Sequence, residues 1–139
     1  EGGTPNIAGI SGLREGIKYV LANRETILLR ERERCAQIKK GFSALPGIKV
    51  YASPNKSETA GLFSFTVEGE DCEDFASALA EKDIAVRAGL HCAPLAHKSA
   101  GTLNTGTIRV SPCVFTAEWE CSAFINVVSK ILGAQKNKN

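Results

Sequence analysis

Two stretches of this chain carry side chains whose types and spacing can do chemistry. In Arg87-Ala88-Gly89-Leu90-His91-Cys92-Ala93-Pro94-Leu95, a thiol directly follows an imidazole at the end of an expected strand. The thiolate is the nucleophilic form of cysteine, and nearby imidazole and guanidinium groups favour it. In Thr107-Ile108-Arg109-Val110-Ser111, alternation turns Ile108 and Val110 inward and Arg109 outward. Arg87 alternates the same way against Ile84, Val86 and Ala88. If the two strands are neighbours, both guanidinium groups look out of one sheet face. With no acidic residue beside them in sequence, such a pair calls for an anion, a carboxylate or a phosphate.

Other groupings point to chemistry less sharply. Cysteine is most often a small buried hydrophobe. Cys35, Cys72 and Cys121 lie in helical patterns and are expected in the core, and Cys113 beside Pro112 is expected to pack as well. His91, Cys92, His97, Cys113 and Cys121 can be assembled into a metal site on paper, but their spacings match no zinc signature. Gly3-Thr4-Pro5-Asn6 ahead of a helix offers amides and a hydroxyl to a phosphate, although as a bare pattern it is weak and a plain helix start accounts for it better. Lys98 reads as a solvent-exposed loop lysine rather than a Schiff-base residue.

The elements that must position these groups follow from periodicity. Two helices are expected first, one through Ile10, Leu13, Ile17, Val20 and Leu21, the other through Ile27, Leu28, Cys35, Ile38, Phe42 and Leu45. Gly9, Gly12 and Gly16, each costing about 1 kcal/mol in a helix, suggest close approach to a neighbouring surface. The run Arg30-Glu31-Arg32-Glu33-Arg34 reads as a solvated helix face. Pro46-Gly47 ends the helical region, Ile48 to Tyr51 is a short strand, 53–57 a loop, and Leu62 to Val67 a half-buried strand. Asp71 can cap a helix through Phe75 and Leu79. Strands at Ile84–Ala88 and Thr107–Ser111 flank a long loop, Leu90–Gly106, of the kind that is more often functional than accidental. Thr116 is expected to cap a last helix with Phe124, Val127, Val128, Ile131 and Leu132 on its stripe, and 136–139 reads as a frayed tail. The expected fold is α/β (an α+β small domain): a mainly antiparallel sheet of about four strands with helices packed on one face.

Composition narrows the classes. Seventeen Lys and Arg against fifteen Asp and Glu leave a net charge of +2, with no basic stripe to bind nucleic acid. No apolar run approaches the roughly 18 residues of a membrane span, and no export signal is visible. Five cysteines without a C-x-x-C pair fit free thiols in a reducing cytoplasm. A chain with no methionine that opens on Glu1-Gly2-Gly3 is expected to be a piece of a longer protein.

Taken together, these stretches resemble the class V aminotransferase family. Gly3-Thr4-Pro5-Asn6 and the helix after it resemble the segment following that family's cofactor-binding lysine. Leu45 to Tyr51 resembles the linker into its small domain. Ile84 to Leu95 resembles the cysteine motif of cysteine desulfurases and selenocysteine lyases, and Thr107 to Ser111 the strand carrying their carboxylate-binding arginine. The resemblance implies that residues 1–139 form the C-terminal small domain of a pyridoxal-phosphate enzyme of fold type I, with 1–45 as connecting helices from a large domain. It implies that Cys92 takes sulfur from L-cysteine as a persulfide, leaving L-alanine, with Arg109, Arg87 and His91 on the substrate side. It implies that Thr4 reaches the pyridoxal 5'-phosphate of a neighbouring subunit in a homodimer, and that a sulfur-acceptor protein is a partner. The cofactor's lysine, aspartate and histidine partners would lie in the large domain, so this piece alone is expected to be inactive. A selenocysteine lyase, an epimerase of the same family, and a non-catalytic α+β thiol-binding module stay open as alternatives.

Overall fold

In the computed structural model, which describes residues 2–53, 55 and 60–136, a single helix (α1, Ile7–Phe42) replaces the two expected before Pro46. No proline interrupts it, and Ala22 to Glu33 is rich in Leu, Arg and Glu, so a helix once nucleated runs through. Asn6 caps the start, its Oδ1 accepting from the Gly9 amide at 2.9 Å. Gly12 and Gly16 do not mark a close approach within this chain: a β-carbon at either would meet nothing within 4 Å.

The remaining elements are β1 (Ile48–Tyr51), β2 (Phe63–Val67), α2 (Cys72–Ala80), β3 (Arg87–Gly89), α3 (Pro94–Ala100), β4 (Thr107–Val110) and α4 (Glu118–Lys136). The strands form one sheet in the order β1-β2-β4-β3, every neighbouring pair antiparallel. The expected antiparallel α/β small domain is therefore the fold found. Strand β3 is shorter than expected: Ile84 and Val86 keep the alternation and pack half-buried on the core, but ladder pairing begins at Arg87. The expected loop after it contains α3, which starts at Pro94 and closes on Gly101 in the left-handed conformation. Proline at the first helical position suits a helix start, a signal the loop reading passed over. The loop expected at 53–57 lies largely outside the described residues, as do Asn137 to Asn139 of the tail.

One sheet face is apolar. Phe63, Phe65 and Val67 of β2 and Ile108 and Val110 of β4 are buried there against Cys35, Ile38 and Phe42 of α1, Phe75 and Leu79 of α2, and Phe124 and Val128 of α4. Phe42 is the hub, meeting the rings of Phe65, Phe124 and Phe63 at 4.9, 5.5 and 6.1 Å. Its truncation to alanine costs about 3–5 kcal/mol. Helices α1 and α4 do approach closely at one glycine: a β-carbon at Gly41 would lie 2.5 Å from Ile125 Cδ1. Arg34 is not part of a solvated face. It bonds the Thr116 carbonyl at 3.0 Å and Glu118 at 3.1 Å, joining α1 to the start of α4. Asp71 caps α2 as expected, accepting from the Glu73 and Asp74 amides. Thr116 does not cap α4: its hydroxyl accepts from the Cys113 amide at 3.0 Å, and Glu120 takes the Ala117 amide.

Candidate functional site

The opposite, polar sheet face carries the chemistry. Register pairs Arg87 of β3 directly with Arg109 of β4, and Arg109 in turn with Ser64 of β2. Directly opposed residues of an antiparallel pair point to one side, so both guanidinium groups share the face, as alternation implied. Like charges opposed across two strands destabilise the ladder. Neither arginine has a carboxylate within ion-pair distance among the described residues. Arg87 is exposed, whereas Arg109 is half-buried with its Nε buried and unpartnered. This is a donor set without an acceptor, and it fits a carboxylate in bidentate geometry.

Cys92 is exposed, on the turn that follows β3. The Ala93 amide donates to the Leu90 carbonyl at 2.9 Å, and the two residues between, His91 and Cys92, have φ of +52° and +59°. Two positive φ values at the centre of a four-residue turn are the signature of type I′, which ordinarily takes Asn or Gly. A side chain in this left-handed region costs roughly 1–2 kcal/mol per residue. Gly89, with φ of +102°, turns the chain out of β3 without that cost.

The imidazole of His91 holds the turn to the sheet. Its Nε2 lies 3.1 Å from both the carbonyl oxygen and the hydroxyl oxygen of Thr107, the first residue of β4. A carbonyl only accepts, so Nε2 carries the proton and Nδ1 is bare; Nδ1 is buried with no partner. Burial pushes the His91 imidazole below its ordinary 6.5, and the positive charges of Arg109, His97 and Arg87 push the same way against the Thr107 hydrogen bond. His97 of α3 stands 5.8 Å away ring to ring, itself buried, with its Nδ1 2.8 Å from the Thr102 hydroxyl. Alongside lies an open cavity of about 340 Å³ whose lining includes Tyr51, Ser64, His97, Thr102 and Thr107.

The structure thus gathers Arg87, Arg109, His91 and Cys92 at the β3–β4 end of the polar face. Thr4 is exposed ahead of α1, a 36-residue helix roughly 54 Å long at 1.5 Å per residue, and no bond ties it to this group. Lys98 is exposed, on α3 rather than in a loop. Thr107, the anchor of the turn, was missed in sequence because only strand register brings it under His91. The other thiols divide cleanly. Cys35, Cys72 and Cys121 are buried, and burial raises each, Cys35 to about 11. Cys113 is exposed rather than packed, since Pro112 takes the buried position beside it. The Thr116 hydroxyl 3.6 Å from the Cys113 sulfur is the main cause of its lowered pKa. Among the described residues no three His, Cys, Asp or Glu side chains cluster as metal ligands, and no helix is long and apolar enough to cross a membrane.

Residues 1–124 match the family model described as Aminotransferase class-V. A probable cysteine desulfurase of Xylella fastidiosa is 35% identical over 133 residues, covering 94% of this chain and 31% of that protein. One from Pyrococcus abyssi is 35% identical over 133 residues, covering 95% of this chain and 32% of that protein. Among solved structures, the apo cysteine desulfurase of Thermococcus onnurineus superposes with a TM-score of 0.85 at 32% identity, over 96% of this chain and 33% of that one. The Escherichia coli cysteine desulfurase CsdA, in an S-sulfonic acid form, superposes with a TM-score of 0.81 at 26% identity, over 96% of this chain and 32% of that one. The chain spans about a third of the length of these relatives.

Proposed function

The chain belongs to the class-V aminotransferase family, and from that premise we propose that it is the small-domain part of a cysteine desulfurase. The observation that carries the reading is an exposed thiol, Cys92, on a left-handed turn tied to the strand that bears Arg109. In the proposed reaction the carbon–sulfur bond of L-cysteine breaks as a sulfur–sulfur bond forms to Cys92. The electron pair of the broken bond stays with the substrate carbon, which takes up a proton. One L-cysteine and one thiol give one L-alanine and one persulfide, so no outside oxidant or reductant is needed.

Arg109 holds the substrate carboxylate through its planar fork, and Arg87, its cross-strand partner, adds charge at the same end. His91 fixes the loop bearing the nucleophile. When bound, pyridoxal phosphate supplies the electron sink for bonds breaking at the substrate carbons. The residues of this chain fit that group at one point, where Thr4 and the amides before α1 can donate to a phosphate. Thr4 lies a full helix length from the helix end that meets the core, which supports its serving the neighbouring subunit of a homodimer. The lysine, aspartate and histidine that complete the cofactor site are assigned to the part of the relatives' length outside the match, and on this reading residues 1–139 alone turn over no cysteine. A cytoplasmic setting and hand-over of the persulfide sulfur to an acceptor protein complete the reading.

The test uses the full-length protein with L-cysteine, reading alanine release and trapping the persulfide by alkylation and mass spectrometry. Alanine with sulfane sulfur on Cys92 is the expected result; alanine formation with Cys92 never carrying sulfur would overturn it.

A further inference from the structure

We propose that His91 is a positioning residue: its ring is a clamp that ties the strained Leu90–Ala93 turn to Thr107 and so sets where Cys92 is presented. Three observations meet here. Both central residues of the turn occupy the left-handed region, which histidine enters more readily than most side chains and cysteine does not. With neither glycine nor asparagine at the two central positions, the turn's own sequence selects this shape only weakly. Within the turn, one backbone bond closes it, from the Ala93 amide to the Leu90 carbonyl. The tie to the sheet comes from the His91 side chain, whose Nε2 meets both oxygens of Thr107 at 3.1 Å.

The tie lands on the first residue of β4, two positions before Arg109. The clamp thus joins the loop carrying Cys92 to the strand carrying the carboxylate donor. A thiol attacking a substrate held by Arg109 must keep its distance to that arginine, and displacements near 1 Å are enough to slow such an attack. The bare, buried Nδ1 fits the same role. With Nδ1 buried and unpartnered, the ring's hydrogen bonds among the described residues are those of Nε2 to Thr107.

The significance for catalysis rests on the reading of Cys92 as the nucleophile; the clamp itself does not, and the experiment separates them. Three variants of the full-length protein divide the alternatives. His91→Asn tolerates the left-handed backbone better but is too short to reach Thr107. His91→Gln reaches Thr107 with an amide donor, and His91→Ala lacks both features. Hydrogen-exchange mass spectrometry resolving the Ala93 amide reads the clamp directly. Exchange is expected to rise at least about tenfold in His91→Asn and His91→Ala and to stay within about threefold of the parent in His91→Gln. Alanine release from L-cysteine is expected to follow: kcat falls at least about tenfold in the first two variants while KM moves less than about threefold, and glutamine restores kcat. Unchanged Ala93 exchange in His91→Ala, which lacks both features, would overturn the clamp whatever the activity shows. Faster Ala93 exchange in His91→Asn and His91→Ala, where the parent protein itself releases no alanine, would uphold the clamp and sink the desulfurase reading alone.

Discussion

Cys92 and Cys113 invite comparison, because each is exposed and each stands three residues past the end of a strand, β3 and β4 respectively. The two strands are antiparallel, so the thiols leave the sheet at opposite ends. At Cys113 the turn is built around the sulfur. The Thr116 hydroxyl and the amides of Phe115 and Thr116 hold the thiol below its ordinary 9.0 against partial burial. Arg34 beside that turn is already bonded to the Thr116 carbonyl and to Glu118. At Cys92 the backbone is held in an unfavourable conformation, and two arginines without carboxylate partners wait nearby on the sheet. A thiol of lowered pKa and a thiol beside unpaired donors are thus found at opposite ends of the sheet. On the proposed reading, Cys92 rather than Cys113 is the thiol whose neighbouring donors would bring it a substrate.

The comparison breaks most openly under substitution. Cys92→Ala is expected to abolish alanine release from L-cysteine in the full-length protein, a loss of about a thousandfold or more, while Cys113→Ala stays within about twofold. Equal losses would erase the distinction. Native-state alkylation should come next in size. Cys92 and Cys113 are expected to react roughly a hundredfold faster than Cys35, Cys72 and Cys121, whose thiols burial protects, and the Cys113 rate should hold to lower pH than that of an ordinary thiol. Peptide mapping after brief iodoacetamide treatment measures all five. Arg109→Ala is expected to raise KM for L-cysteine some tenfold to a hundredfold, since a hydrogen bond to a charged group contributes about 1.5–3 kcal/mol. Arg34→Ala, at the Cys113 end, should leave KM unmoved in the same steady-state assay.

The smallest effect concerns pH. The folded His91 pKa is depressed, so its contribution to stability is fully present above about 6.5 and is lost as pH falls through the lower folded value. The groups opposing its proton are Arg109, His97 and Arg87. A melting midpoint that drops by a few degrees over this acid window in the parent, and less in His91→Gln, is the expected outcome by calorimetry.

Much of the frame was legible beforehand because it rests on periodicity. The alternation of Phe63, Phe65 and Val67 and of Ile108 and Val110 named the apolar face, and the same alternation put Arg87 and Arg109 on the other. What sequence could not supply was contact across the fold. Thr107 under His91 depends on register, the positive φ of Cys92 runs against residue preference, and Cys113 reaches solvent because Pro112 turns inward instead. The two periodic runs belong to one continuous α1, since no residue between them stops a helix. Local patterns name the faces of elements; side-chain contacts between distant residues decide what sits at their ends.

The facing arginines have a thermodynamic meaning beyond recognition. Two like charges opposed on adjacent strands leave the ligand-free sheet below the stability its ladder would otherwise reach. On the proposed reading, a bound carboxylate would relieve that repulsion as part of its binding free energy, and a hundredfold excess over Kd would stabilise the fold by about 2.7 kcal/mol. On that reading folding and anion occupancy are linked quantities, and the melting temperature becomes a gauge of the anions in the solution around the protein.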